Sequence, residues 1–182
     1  MFATNLTVLS YHKFGEEKSD YVFSRTYDEL INDLKTKTFD WVTIDDGSRC
    51  MIKACEIMRE MNIRAKLFIS TALIGQSGYG LPGTANKEIY QKYCNWDEIK
   101  ELAKYHDIEN HSHEHIRLDL TDPKTVHDNM QWANDRILLH TGKTPRFFVP
   151  PWNKMNSTIL GSCNRLGLTL VHSRIDIKND TE

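Results

Sequence analysis

The stretch Asp40 to Ser70, DWVTIDDGSRCMIKACEIMREMNIRAKLFIS, decides the fold. It opens with Asp40 to Ile44 (DWVTI), whose aromatic and β-branched residues favour a strand. The strand stops at Asp45-Asp46-Gly47-Ser48, a turn composition. Ile52 to Met61 then carries Ile52, Cys55, Ile57, Met58 and Met61 as the apolar set of a helix. Ala65 to Ser70 (AKLFIS) is extended again. Strand, helix and strand in one compact run is a βαβ unit, which pairs its strands in parallel through a right-handed crossover.

The same alternation runs outward in both directions. Leu6 to Tyr11 reads as a strand. Ser24 or Thr26 caps a helix reaching about Lys37, with Tyr27, Leu30, Ile31 and Leu34 on one face. Residues 73–90 hold four glycines and Pro82 and read as a long loop, a length that is often functional. Asn95 caps a helix from Trp96 to about Tyr105, and Asp107 to Asn110 is a short strand. Thr121 or Asp122 caps a helix that starts with Pro123, runs to about His140 and is stopped by Gly142 and Pro145. Phe147 to Val149 is a strand, Asn156 to Leu166 a helix ended by Gly167, and Leu168 to His172 the last strand. Repeated strand–helix alternation predicts an α/β fold with a parallel sheet. A complete eightfold barrel typically needs ~250 residues. The 182 residues here therefore predict a distorted, incomplete (β/α) barrel of six or seven parallel strands, TIM-barrel-like, with an open doubly wound sheet as the alternative.

Composition narrows the function classes. The net charge of −2 does not favour nucleic acid or an anionic membrane as a partner, although a local basic patch remains compatible with it. No apolar run approaches the ~20 residues of a membrane span. The N-terminus lacks the charged and apolar regions of a signal peptide, which leads to an expected cytoplasmic location. Cys50, Cys55, Cys94 and Cys163 show no CxxC spacing and read as free thiols. Thr141-Gly142-Lys143-Thr144 mimics the tail of a phosphate-binding loop but lacks the first glycine, because Ile137 stands there.

In parallel α/β folds, functional side chains gather at the carboxyl ends of the strands. Three polar clusters sit at such ends: Asp45-Asp46-Gly47, His111-Ser112-His113-Glu114-His115 and Pro150-Pro151-Trp152-Asn153. His111 and His115 are four apart, so one helical turn would set both imidazoles on one face. Two histidines and an aspartate form a three-ligand site with open positions, as in catalytic zinc centres.

Together these clusters resemble the motifs of the polysaccharide deacetylase family, the NodB-homology domain of carbohydrate esterase family 4. Thr43-Ile44-Asp45-Asp46-Gly47 is similar to the family's T-F-D-D-G, His111 to His115 to its H-[S/T]-x-x-H, and Phe148 to Asn153 to its F-R-P-P-Y-G. Tyr11-His12 and Trp96-Asp97 add to the likeness. The resemblance implies a single catalytic domain over residues 1–182 that removes acetyl groups from an N-acetylated glycan, with no nucleic-acid partner. It implies Asp46, His111 and His115 as ligands of a divalent metal, zinc being the first choice, and Asp45 as general base. The backbone N–H of Trp152 becomes an oxyanion donor. Two features depart from the family. Val149 stands where an arginine orients the catalytic aspartate, and Arg146 lies three residues too early to replace it. The late Leu-x-His that supplies the general acid has no match; His172 is placed in that role, with His12 as the other candidate. A glycan-binding domain without catalysis and an O-acetyl carbohydrate esterase are the alternative functions. Trp152, Trp96 and Tyr79 are candidate sugar-stacking residues.

Overall fold

A computed structural model describes residues 7–17, 24–80 and 90–171. In chain order the elements are β1 (Val8–Tyr11), β2 (Lys13–Gly15), β3 (Ser24–Thr26), α1 (Tyr27–Thr36), β4 (Trp41–Asp46), α2 (Met51–Glu60), β5 (Lys66–Ile69), β6 (Ser77–Tyr79), β7 (Tyr90–Lys92), α3 (Trp96–Leu102), β8 (Asp107–Asn110), α4 (Pro123–Thr141), β9 (Phe147–Phe148), α5 (Ser157–Leu166) and β10 (Thr169–Leu170).

Six strands form one sheet in the order β1-β4-β5-β8-β9-β10, every pair parallel. Spatial order follows chain order without reversal. Right-handed crossovers that always step the same way put all helices on one face, and twist curls the sheet around the other. The result is an incomplete, distorted (β/α) barrel. A doubly wound sheet would need a reversal of strand order.

The two-residue period of each strand separates the two faces. Val42, Ile44, Leu67, Ile69 and Ile108 face the helices and pack with Leu30 and Leu34 of α1, Met58 of α2 and Ile99 of α3. Phe148 and Leu170 meet Met130 of α4 and Ile159 of α5. The alternate residues Phe68, Val149 and Val171, with Trp41 and Phe147 beside them, fill the concave face.

Helix ends form where short polar side chains satisfy otherwise unpaired backbone N–H groups. Thr26 and Asn95 each make a capping box, with Glu29 and Glu98 respectively. Asp122 accepts from the N–H groups of Lys124 and Thr125. Gly142 and Gly167 end α4 and α5 in the left-handed conformation. Two features depart from the sequence expectations. Residues 24–26 form β3, parallel to β2, immediately before the helix. The 73–90 loop contributes β6 and β7 to a short antiparallel ladder. No helix among the described residues is long and apolar enough to cross a membrane.

Candidate metal and catalytic centre

Strand β4 delivers two adjacent carboxylates to the barrel rim. Asp45 continues the inward alternation of Trp41 and Thr43 and is buried. Asp46 would point the other way in an extended strand, but its φ is 74° and that of Gly47 is 87°. This left-handed turn swings the Asp46 carboxylate back over the rim. Non-glycine residues seldom adopt that conformation, and such outliers concentrate at functional sites. Gly47 is required twice over: by its positive φ, and because an added Cβ would sit 2.9 Å from Ile74 Cδ1.

The histidine cluster leaves β8 as an irregular loop. The helical turn expected from the His111–His115 spacing is absent: Ser112 and His115 have φ of 69° and 56°. Three asparagines hold this loop in shape. Asn110 Oδ1 accepts from Ser112 N at 2.7 Å, while its Nδ2 donates to the Met130 carbonyl and to Asn134 Oδ1 on α4. Asn129, buried on α4, accepts from His113 N at 2.8 Å and Glu114 N at 3.0 Å. Ser112 Oγ accepts from His115 N at 3.1 Å. The two imidazoles end with ring centroids 5.0 Å apart.

These groups converge on Asp46. Its Oδ1 lies 3.1 Å from His115 Nε2 and 3.4 Å from His111 Nε2, and one ligand atom from each of the three residues lies within 4.8 Å of the others. The pattern of donors fits a cation. His111 Nδ1 donates to the Val149 carbonyl at 2.8 Å, which in the neutral ring leaves Nε2 as a bare lone pair facing a carboxylate oxygen. Two acceptors in contact need a positive charge between or upon them. Asp46 Oδ1 and His115 Nδ1 are buried without a hydrogen-bond partner among the described residues. Burial alone would raise the Asp46 pKa; with the positive charge on the histidines, His115 first and then His111 outweigh burial and hold the carboxylate well below its usual range. The His111–carbonyl bond is the outer-shell contact that fixes ring orientation in metal sites.

Asp45 stands next to this trio in a different setting. Its Oδ1 has no hydrogen-bond partner among the described residues, and its Oδ2 lies 3.7 Å from His12 Nε2. Burial raises its pKa to about 7, with His12 acting in the opposite direction. The two neighbouring carboxylates are thereby driven apart: one ionised, one poised as a base near neutral pH.

The third cluster closes the rim. Val149 gives its carbonyl to His111 and turns its side chain into the concave core with Phe68 and Val171. A 3-10 turn, Pro151–Asn153, follows, with Trp152 and Asn153 at φ of 61° and 52°. Trp152 is half exposed, its ring 5.8 Å from that of His115. Arg146 lies at the opposite end of β9 with its guanidinium over the Phe147 ring, and the side chain beside Asp45 is His12, at 3.7 Å. Trp96 is no sugar platform, because it stacks on His140 against the helix-side core at 4.0 Å. Tyr79 is exposed and meets Tyr90 edge-on. His172 lies outside the described residues. The contributions of Asn110 and Asn129 went unread in the sequence. Their only signal was an asparagine on an otherwise apolar, inward-facing position.

The fold is a half-barrel of the (β/α) class with an aspartate–histidine–histidine trio at its rim, and comparison with known proteins gives the family. The polysaccharide deacetylase family model matches residues 33–171, and the chain belongs to that family. A chitin deacetylase from Amylomyces rouxii is 23% identical over 136 residues, 74% of this chain; the chain spans only 28% of that relative. Among solved structures, IcaB from Ammonifex degensii superposes with a TM-score of 0.72 at 13% identity, covering 95% of this chain and 89% of that one. The deacetylase PplD of Streptococcus pyogenes, solved with acetate, gives 0.69 at 16% identity, covering 89% and 80%.

Proposed function

We propose that the chain is a catalytic domain that removes acetyl groups from an N-acetylated glycan by metal-dependent hydrolysis of the amide. The observation that carries this reading is the meeting of Asp46 Oδ1 with both histidine Nε2 atoms at 3.1 and 3.4 Å, next to a second aspartate of opposite electrostatic character. Asp46, His111 and His115 hold the divalent cation, zinc being the first choice for two imidazoles and a carboxylate. A cation in such a site polarises a carbonyl and lowers the pKa of water.

The chain's own groups do the rest. Asp45 takes a proton from the attacking water as its oxygen bonds to the acetyl carbon. The backbone N–H of Trp152 donates to the oxygen that gains charge; such a donor is typically worth ~2.7–4 kcal/mol. The C–N bond breaks as the amine nitrogen accepts a proton, giving acetate and a free amine. In this reading His12, 3.7 Å from Asp45, supplies that proton; His172 is the other candidate.

Separate variants distinguish the two aspartates. Asp46→Ala should abolish zinc binding and acetate release together. Asp45→Asn should keep zinc and lose turnover by at least ~10²-fold, the usual scale of general-base catalysis. Full activity in Asp45→Asn would overturn the base assignment. Paired amide and ester substrates decide whether nitrogen or oxygen carries the acetyl group.

A further inference from the structure

Beside the Asp46 turn lies a cavity of about 480 Å³ that the hydrolytic step leaves unused. Its described walls come from four segments: β2 with Glu17 beyond it, Ser24 of β3, the turn Ser48–Cys50, and β7. Hydrogen bonds tie the walls together. Arg49 N donates to the Lys92 carbonyl at 2.8 Å, and Ser48 bridges to Tyr93 in antiparallel fashion. Phe14 N donates to Cys50 Sγ at 3.3 Å. A cavity fixed in this way incurs little ordering cost on binding.

The lining has a definite charge. Among the described lining residues, Lys13, Arg49 and Lys92 stand with one acid, Glu17, although the chain as a whole carries −2. Arg49 also pairs with Glu98 at 2.8 Å, but a guanidinium has five donors and one carboxylate does not exhaust them. Tyr90 lines the cavity, and its ring meets Tyr79 edge-on at 5.0 Å, both rings exposed. An aromatic edge with cations behind it suits a pyranose ring bearing a negative group. Chain neighbours link the cavity to the centre: Ser48 is two residues beyond Asp46, and Lys13 follows His12, whose Nε2 lies 3.7 Å from Asp45 Oδ2.

We infer that this cavity is a subsite for an acidic sugar next to the N-acetylated residue, which makes the substrate an acidic rather than a neutral glycan. The inference rests on the deacetylase reading and deepens it. Cys50 supplies a reporter, since it lines the cavity and is half buried while Cys55, Cys94 and Cys163 are fully buried.

The experiment follows Cys50 alkylation by iodoacetamide, read by mass spectrometry on the zinc-loaded chain. The added sugars are glucose, glucuronate, glucose 6-phosphate, an N-acetylglucosamine tetramer, and a tetramer alternating N-acetylglucosamine with glucuronate. Acidic sugars should slow alkylation about fivefold or more where neutral ones change it less than about twofold, a difference of the size that exposed charge pairs provide. The glucuronate and phosphate arms identify the preferred acid. The difference should vanish in ~1 M salt, where the Debye length is about 3 Å. In Arg49→Gln/Lys92→Gln, shown by circular dichroism to be folded, the protection should be lost. The ratio of kcat/KM for the acidic over the neutral tetramer should fall about tenfold. Equal protection by glucose and glucuronate, protection by neither, or protection that survives the double substitution would overturn the subsite. Acetate release without acidic preference sinks the subsite alone. Acidic protection without acetate release from any substrate leaves the subsite and sinks the deacetylase reading.

Discussion

Truncating Asn129 should loosen, from a distance, the loop that carries the proposed metal ligands His111 and His115. This side chain is 1% exposed and reaches from α4 to accept the backbone N–H groups of His113 and Glu114 while its Nδ2 donates to Glu114 Oε2. Asn129→Ala removes all three bonds. Glu114 is exposed, so water replaces its bond at little cost. The two N–H groups are partly buried and lose their acceptor, at ~1–1.5 kcal/mol each, for a total of about 2–3 kcal/mol. The loop they fix spans the interval between two of the proposed metal ligands, and losing such outer contacts typically weakens metal binding ~10–100-fold. Urea denaturation of the metal-free chain reads the first effect, and zinc competition against a chromophoric chelator reads the second. Asn129→Asp combined with Glu114→Gln keeps the same acceptors and reverses the donor, so it should restore most of both. A change below about 0.5 kcal/mol in Asn129→Ala, with unaltered zinc affinity, would refute the reasoning.

Two further outcomes follow from the buried framework. Gly47→Ala forces a side chain into a positive φ and against Ile74; at ~1–3 kcal/mol for such strain, thermal unfolding should show a clearly lowered Tm. His106, buried under α2, accepts the Ala65 N–H at Nδ1 and donates from Nε2 to the Cys55 carbonyl, a pattern only the neutral ring satisfies. Burial accordingly lowers its pKa from the ordinary 6.5. Above 6.5 both native and unfolded chains hold the ring neutral. Below it the unfolded chain binds a proton that the native chain refuses until its own lower pKa is reached, so stability falls as pH drops through that window. The unfolding free energy measured from pH 7.5 to 5 should decline less steeply in His106→Gln.

Much of this architecture was readable from the chain because its signals are local. Thr26, Asn95, Asp122, Gly142 and Gly167 mark helix ends by their own backbone chemistry, and the three rim clusters each follow a strand of recognisable composition. What escaped reading depends on neighbours remote in sequence. Lys13–Gly15 and Ser24–Thr26 pair with each other without any apolar alternation to announce them. The four-residue spacing of His111 and His115 suggested a helical turn; the imidazoles do meet, but through two left-handed residues and three asparagine clamps. The sequence offers His12 as a candidate acid at a strand end, but not its neighbour; the pairing of β1 with β4 sets it beside Asp45. Val149 shows the converse: its side chain joins the core while its carbonyl serves the site.

The order of the sheet has a consequence for how the chain is made. Strands join it in the sequence in which they leave the ribosome, and even the widest-spaced neighbours, Lys66 and Asp107, are only 41 residues apart. Each new strand finds its template already laid down, so the nascent polypeptide can grow its sheet from one edge without waiting for a distant tail. The strands that lead to His111 and Val149 join after β1, β4 and β5, and the chemistry at the rim matures only once both are in place.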